Sequence, residues 1–125
     1  MKLSKALNPK FQELLGKLVI AEVPMKAAFK IKKISNDIDE SVKGYEIARI
    51  EIIKKFAELN DEGDLKSDAQ GNAIFISDES RMEFAQELSG LLNVDIGVNK
   101  VLVDELGDKL SFSAVDLVIL EDLIE

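Results

Sequence analysis

Between Met25 and Asn60 the chain contains no proline and only one glycine, Gly44. Within that stretch Ile31, Ile38, Tyr45, Ile52 and Leu59 recur at every seventh position. Ile34, Ser41, Ala48 and Lys55 hold the companion positions, and Val42, Ile53 and Phe56 widen the apolar stripe. This pattern predicts a long amphipathic helix entered through Pro24, about 54 Å in length at 1.5 Å per residue. Too few companion positions are large and apolar for a strict coiled coil. Lys26, Lys30, Lys33, Lys43, Lys54 and Lys55 mark its polar face. A helix this long needs cover along its apolar seam, and a short N-terminal helix can supply only part of it, so either the C-terminal module folds back or a second subunit covers the rest. The expectation is a homo-oligomer built on the long helix.

The flanking sequence supplies the other elements. Phe11, Leu14, Leu15 and Leu18 keep the i, i+3, i+4, i+7 spacing of one helical stripe. Asn8 suits the N-cap and Pro9 the first helical position, where a missing N–H costs nothing; the alternative start is near Ser4, with Pro9 in the first turn or two. After the stop at Asn60-Asp61-Glu62-Gly63, two short extended pieces, 64–67 and 73–76, flank the turn-rich 68–72 and predict a β-hairpin. Ser77 caps a further helix, for which Met82, Ala85, Leu88, Leu91 and Leu92 form the expected buried stripe. Val94, Ile96 and Val98 alternate with polar or small residues as in a half-buried strand, and Val101-Leu102-Val103 continues or pairs with it. Ser113 and Asp116 make a capping box ahead of a last helix carrying Leu117, Leu120, Leu123 and Ile124. No repeated unit is evident. The predicted fold class is α+β, mostly helical. An N-terminal helical hairpin with one long amphipathic helix precedes a small β-hairpin and strand module with two shorter helices, in a single domain 1–125.

With 125 residues, 46% of them hydrophobic, the chain can bury a core without staples. Its net charge of −8 is uneven. Residues 1–60 carry 12 Lys+Arg against 8 Asp+Glu, and residues 61–125 carry 4 against 16, so a +4 helical half precedes a −12 acidic half. Opposite charge on the two halves favours their docking or the pairing of subunits, and the overall negative charge argues against direct nucleic-acid binding. Cysteine and histidine are both absent. That removes disulfides, thiol nucleophiles, thiolate metal sites, the commonest general base and the commonest metal ligand. No run approaches the ~18 apolar residues of a membrane span, and no signal-peptide stretch opens the chain. The expectation is a soluble, cytoplasmic protein with no membrane contact.

No motif carries recognisable chemistry. In a calcium-loop register, Gly71 at the sixth position puts Lys66 first and Ser77 twelfth, where carboxylates are needed. No phosphate loop or catalytic carboxylate pair stands out, and a serine triad lacks its histidine. The reading is therefore a non-enzyme, without cofactor or metal. The expected interaction residues lie on the long helix: Ile38, Tyr45, Ala48, Arg49 and Ile52. Gly44 and Ala48 form a small-xxx-small pair that suits a helix crossing. Tyr45 reads as seam and Arg49 as paired to an acid such as Glu46. The other reading is an anion pocket, in which Lys26, Lys30, Lys33 and Arg49 hold phosphate and Tyr45 stacks on a base.

Pro24 with the Ile/Lys-rich helix behind it, Tyr45-Glu46-Ile47-Ala48-Arg49, Lys55-Phe56-Ala57-Glu58, the Asp61-Glu62-Gly63 stop, the Gln70-Gly71-Asn72 turn and Ser113–Leu117 carry a resemblance over most of the chain. In these features the sequence resembles small proteins of about this length encoded by tailed bacteriophages and prophages, with Asn8-Pro9 departing from the pattern. The resemblance brings no catalytic signature and transfers no site residue. It implies viral origin and action in the host bacterial cytoplasm or in the virion. The functional expectation is a non-enzymatic phage protein that contacts itself and a host or phage protein, in virion assembly or host-factor takeover. The alternative is a counter-defence protein that sequesters a nucleotide-like anion, and a third idea is an acidic decoy of nucleic acid.

Overall fold

The computed structural model describes residues 1–125. Its elements are α1 (Leu3–Ala6), α2 (Pro9–Ile20), α3 (Met25–Phe56), α4 (Asp78–Leu92), a 3-10 turn (Val103–Leu106) and α5 (Ala114–Ile119). Helix accounts for 58% of the residues. The predicted α+β class is overturned: 8% of residues lie in isolated bridges, and no sheet forms. The chain divides into two compact units, one of residues 1–42 with 95–125 and one of residues 43–94. The unbroken α3 contributes its first turns to the former and its remainder to the latter.

The first unit holds the core. Asn8 Oδ1 accepts from the amides of Lys10 (2.9 Å) and Phe11 (3.3 Å), so the predicted cap and first-position proline open α2 as expected. Phe11, Leu14, Leu15 and Leu18 are buried, as their spacing predicts, against Ala27, Ile31, Ile34 and Ile38 of α3. The C-terminal segment completes the cluster with Val101, Leu106, Leu120 and Leu123. Backbone pairing ties these pieces together. Met1 and Ile96 exchange hydrogen bonds of 3.3 and 2.8 Å. Val101 donates to Leu123 O at 2.8 Å, and Glu125 donates back to Val101 O at 2.8 Å. Here the alternating Val/Ile run makes one antiparallel and one parallel bridge where a strand was predicted. The closing helix also ends early, at Ile119, because Leu123 and Glu125 pair with Val101 instead of continuing the helix.

In the second unit α3 stops at Phe56 rather than Asn60, because Glu58 turns its N–H to Ile74 O at 2.7 Å. Ile74 in turn donates to Lys66 O (3.2 Å) and Lys66 to Glu58 O (3.0 Å), closing a ring of three. Three segments that each pair with both others cannot lie in a flat sheet, where the outer two strands never meet. This is the physical reason that the predicted hairpin appears only as single bridges, Ser67 to Ala73 among them. The ring rests on an eight-residue repeat that the sequence reading missed. Asn60 Oδ1 accepts from the amides of Glu62 and Asp64, and Asp68 Oδ1 from those of Gln70 and Asn72, all at 2.9 Å. Each side chain thereby mimics a backbone turn, and each turn ends on a glycine at φ 82°, Gly63 and Gly71, a region L-residues rarely enter.

Ser77 caps α4, accepting from the Ser80 amide at 3.0 Å. The inward row of α4 is Phe84, Leu88, Leu91 and Leu92, half-buried, while Met82 is 66% exposed and Ala85 is exposed, which corrects the expected stripe. Phe84 lies 5.4 Å from Phe75, and Arg81 covers the Phe75 ring. Of the whole second unit, only Ile53 and Ala57 are fully buried.

Candidate interaction surfaces

Two surfaces on α3 present apolar side chains to solvent, one in each unit. Those on the second unit stem from how α3 is rotated about its axis. Tyr45, Ala48 and Ile52 are half-buried and Ile53 is buried, so the heptad seam is used within the unit itself. Ile38 is 0% exposed in the core of the first unit and can touch nothing outside it. Arg49 is exposed and makes no ion pair, with Glu46 or any other acid. A different row is left open. Ile47 is 61% exposed and Ile50 46%. With the exposed Lys43 and Lys54 they follow i, i+4, i+7, i+11, which puts two isoleucines between two lysines on one stripe. The heptad hid this row, because both isoleucines fall outside the seven-residue register that drew attention to the seam.

Nothing lies within 4 Å of the position a Cβ would take on Gly44, so no element of the chain crosses the helix there. A helix-interior glycine in open space costs backbone entropy without gaining an approach. Gly44→Ala is therefore expected to raise stability by about 0.5–1 kcal/mol in urea unfolding. A loss of stability instead would place an unseen contact at that point.

The other surface lies at the start of α3 in the first unit. Met25, Lys26, Phe29, Lys30 and Lys33, with Asn99 and Lys100, line an open groove of about 910 Å³. Met25 and Phe29, its apolar lining, are 88% and 75% exposed. Lys26, Lys30 and Lys33, expected together from their helical spacing, line the same groove. Arg49 is not among the lining residues, and Lys100 and Phe29 were missed. Lys100 is remote in sequence. Phe29 stands beside the lysines at helical spacing and could have been flagged as an aromatic outside the seam.

One carboxylate adjusts the charge of this groove. Glu105, on the 3-10 turn, receives Lys30 Nζ at 2.7 and 2.9 Å on its two oxygens, with Lys26 Nζ at 3.8 Å. The Lys30 hydrogen bond holds the Glu105 carboxyl below its ordinary value of 4.5 against the opposing effect of partial burial, with help from the Leu102 amide and the two lysine charges. The folded state thus binds this proton less readily than the unfolded chain does. Its stabilisation is present above pH 4.5 and is lost as pH falls through the lower folded value. Carbon-detected titration should give Glu105 a midpoint below 4.5, and acid should lower the melting temperature of the wild type more than that of Glu105→Gln. A midpoint at or above 4.5 would contradict the pairing.

Chemically, the groove offers a greasy strip beside spaced ammonium groups, with Lys30 already engaged by Glu105. The row on the second unit offers a shorter strip between two cations. No helix is long and apolar enough to cross a membrane. Comparison of the chain with known protein families, with curated proteins and with solved structures returned no match.

Proposed function

We propose that the chain is a non-catalytic contact protein that self-associates through the outer row of α3 in its second unit, centred on Ile47 and Ile50. The observation that carries this reading is the imbalance of that unit: residues 43–94 bury only Ile53 and Ala57, while Ile47, Ile50, Ile76 and Met82 stay 61%, 46%, 63% and 66% exposed. A fold with so little interior gains most by covering apolar surface against another molecule. A second copy is the partner always at hand, and a helix row of two isoleucines packs against its own image in an isologous pair. The resemblance of the sequence to small tailed-phage proteins supports a setting in an infected bacterium, with assembly of the virion or takeover of a host factor as the role.

The test uses Tyr45, the chain's one tyrosine and, with no tryptophan present, its dominant intrinsic emitter. Tyr45 sits on α3 two residues from Ile47. Its fluorescence anisotropy should rise with protein concentration as tumbling slows. A flat anisotropy over the whole range would count against self-association.

A second reading, sequestration of a nucleotide-like anion, draws on the lysines at the start of α3. It is less well supported, because Lys30 is engaged by Glu105 and Arg49 does not line the groove. A nucleoside triphosphate that raised the melting temperature in a Lys33-dependent way would favour it.

A further inference from the structure

We infer that the groove at the start of α3 seats an acidic amphipathic helix of a partner protein. The inference is independent of the self-association surface, since it rests on other residues in the other unit.

The shape of the charge pattern selects the occupant. Lys26, Lys30 and Lys33 are spaced i, i+4, i+7, so they form one row that rises about 10 Å along the helix axis. Met25 and Phe29, spaced i, i+4, form an apolar row beside it. Lys100 and Asn99 line the same groove from the C-terminal segment. An object that matches two parallel rows needs apolar groups and carboxylates repeating at the same helical period. An amphipathic helix with leucine or methionine on one row and glutamate on the next has that pattern.

Two other anionic surfaces fit less well. A nucleotide gathers its charge at one end and needs donors that converge, whereas these ammonium groups are strung over two turns. Glu105 engages Lys30 and Lys26, so for any occupant the unpaired ammonium groups of the groove are Lys33 and Lys100, one from each lining segment. An anionic bilayer is broad, and a protein of net charge −8 is repelled by it at long range. A helix meets the lysines at short range, where the local charge decides, and its apolar row covers the exposed Met25 and Phe29.

The probe is a fluorescein-labelled synthetic peptide with leucine and glutamate rows at i, i+3, i+4 and i+7, added to the full-length protein. It should bind, and the affinity should fall steeply with salt. Phe29→Ser and Lys33→Glu/Lys100→Glu should each weaken binding by roughly tenfold or more. Both alter exposed side chains, so melting should stay near that of the wild type, and circular dichroism checks it. Lys43→Glu/Lys54→Glu, which reverses the other lysine pair, should leave binding unchanged. A peptide with lysine in place of glutamate should show no groove dependence, any attraction to this acidic chain being the same for wild type and Phe29→Ser. Equal binding by wild type and groove variants would overturn the inference. So would equal loss in the Lys43/Lys54 variant, which would mean attraction to positive charge in general. Groove-dependent capture of phosphatidylserine vesicles or of adenosine triphosphate without peptide binding would overturn it in favour of those ligands. A groove-dependent increase in mass without peptide binding would overturn it in favour of a second copy.

Discussion

Ile38→Asp is expected to unfold the first unit. Ile38 is fully buried, and its neighbours in the cluster include Phe11, Ile34 and Leu120, with no polar side chain buried anywhere in the chain. A carboxylate placed there has no partner, so it either stays charged at a large desolvation cost or takes up a proton and still lacks a hydrogen bond. Adding the lost apolar burial, the penalty exceeds about 5 kcal/mol, against a typical domain stability of roughly 5–15 kcal/mol. Circular dichroism should show a large loss of helix, while Ile38→Val should cost only about 0.5–1.5 kcal/mol and keep the fold. From the sequence Ile38 was expected among the interaction residues. A folded Ile38→Asp variant with reduced mass would restore that role and contradict the packing.

Ile47→Asp with Ile50→Asp should do the opposite, leaving the fold intact and weakening association. Together the two side chains keep close to one isoleucine's worth of burial inside the fold, so the unassociated chain loses about 2 kcal/mol, less than a typical domain stability. Their joint exposed fraction amounts to about one whole isoleucine, worth about 2–3 kcal/mol when covered, which corresponds to a roughly hundredfold weaker association. The added charges would oppose each other across a symmetric contact, so the measured loss should be at least that large. Light scattering coupled to gel filtration should show the variant at lower mass than the wild type under matched loading, with the same helical spectrum. A variant as associated as the wild type would move the contact elsewhere.

The sequence revealed the helices well because their signals are local. Asn8 and Pro9 fixed the start of α2, Pro24 that of α3, and Ser77 and Ser113 the caps of α4 and α5. Spacing alone assigned Phe11, Leu14, Leu15 and Leu18 to the core. The extended segments failed for a tertiary reason. Alternation in residues 94–98 shows that one face is buried but not how many partners the backbone has, and here each segment meets another at a single bridge. The ring through Glu58, Lys66 and Ile74 was visible in principle, since Asn60 and Asp68 each precede a glycine by three residues. The first copy also suits a helix stop and the second a hairpin loop, so their likeness is hidden by the different roles.

The interaction surfaces were legible in part for a related reason. A heptad identifies the seam that a helix must cover, and it cannot say whether the chain covers that seam itself. Ile31, Ile34 and Ile38 are covered within the first unit, and Tyr45, Ala48 and Ile52 partly within the second. What remains open lies off the register, at Ile47 and Ile50 on one unit and at Met25 and Phe29 on the other. Lys26, Lys30 and Lys33 were found because helical spacing is local, and Glu105 was not, because its pairing with Lys30 joins residues distant in the chain.

Sedimentation equilibrium of the unmodified chain over a wide concentration range tests self-association most directly. The expected result is a weight-average mass that climbs above 13.8 kDa toward a whole multiple of it as concentration rises. A mass of 13.8 kDa at every concentration, with the helix content unchanged, would contradict the account.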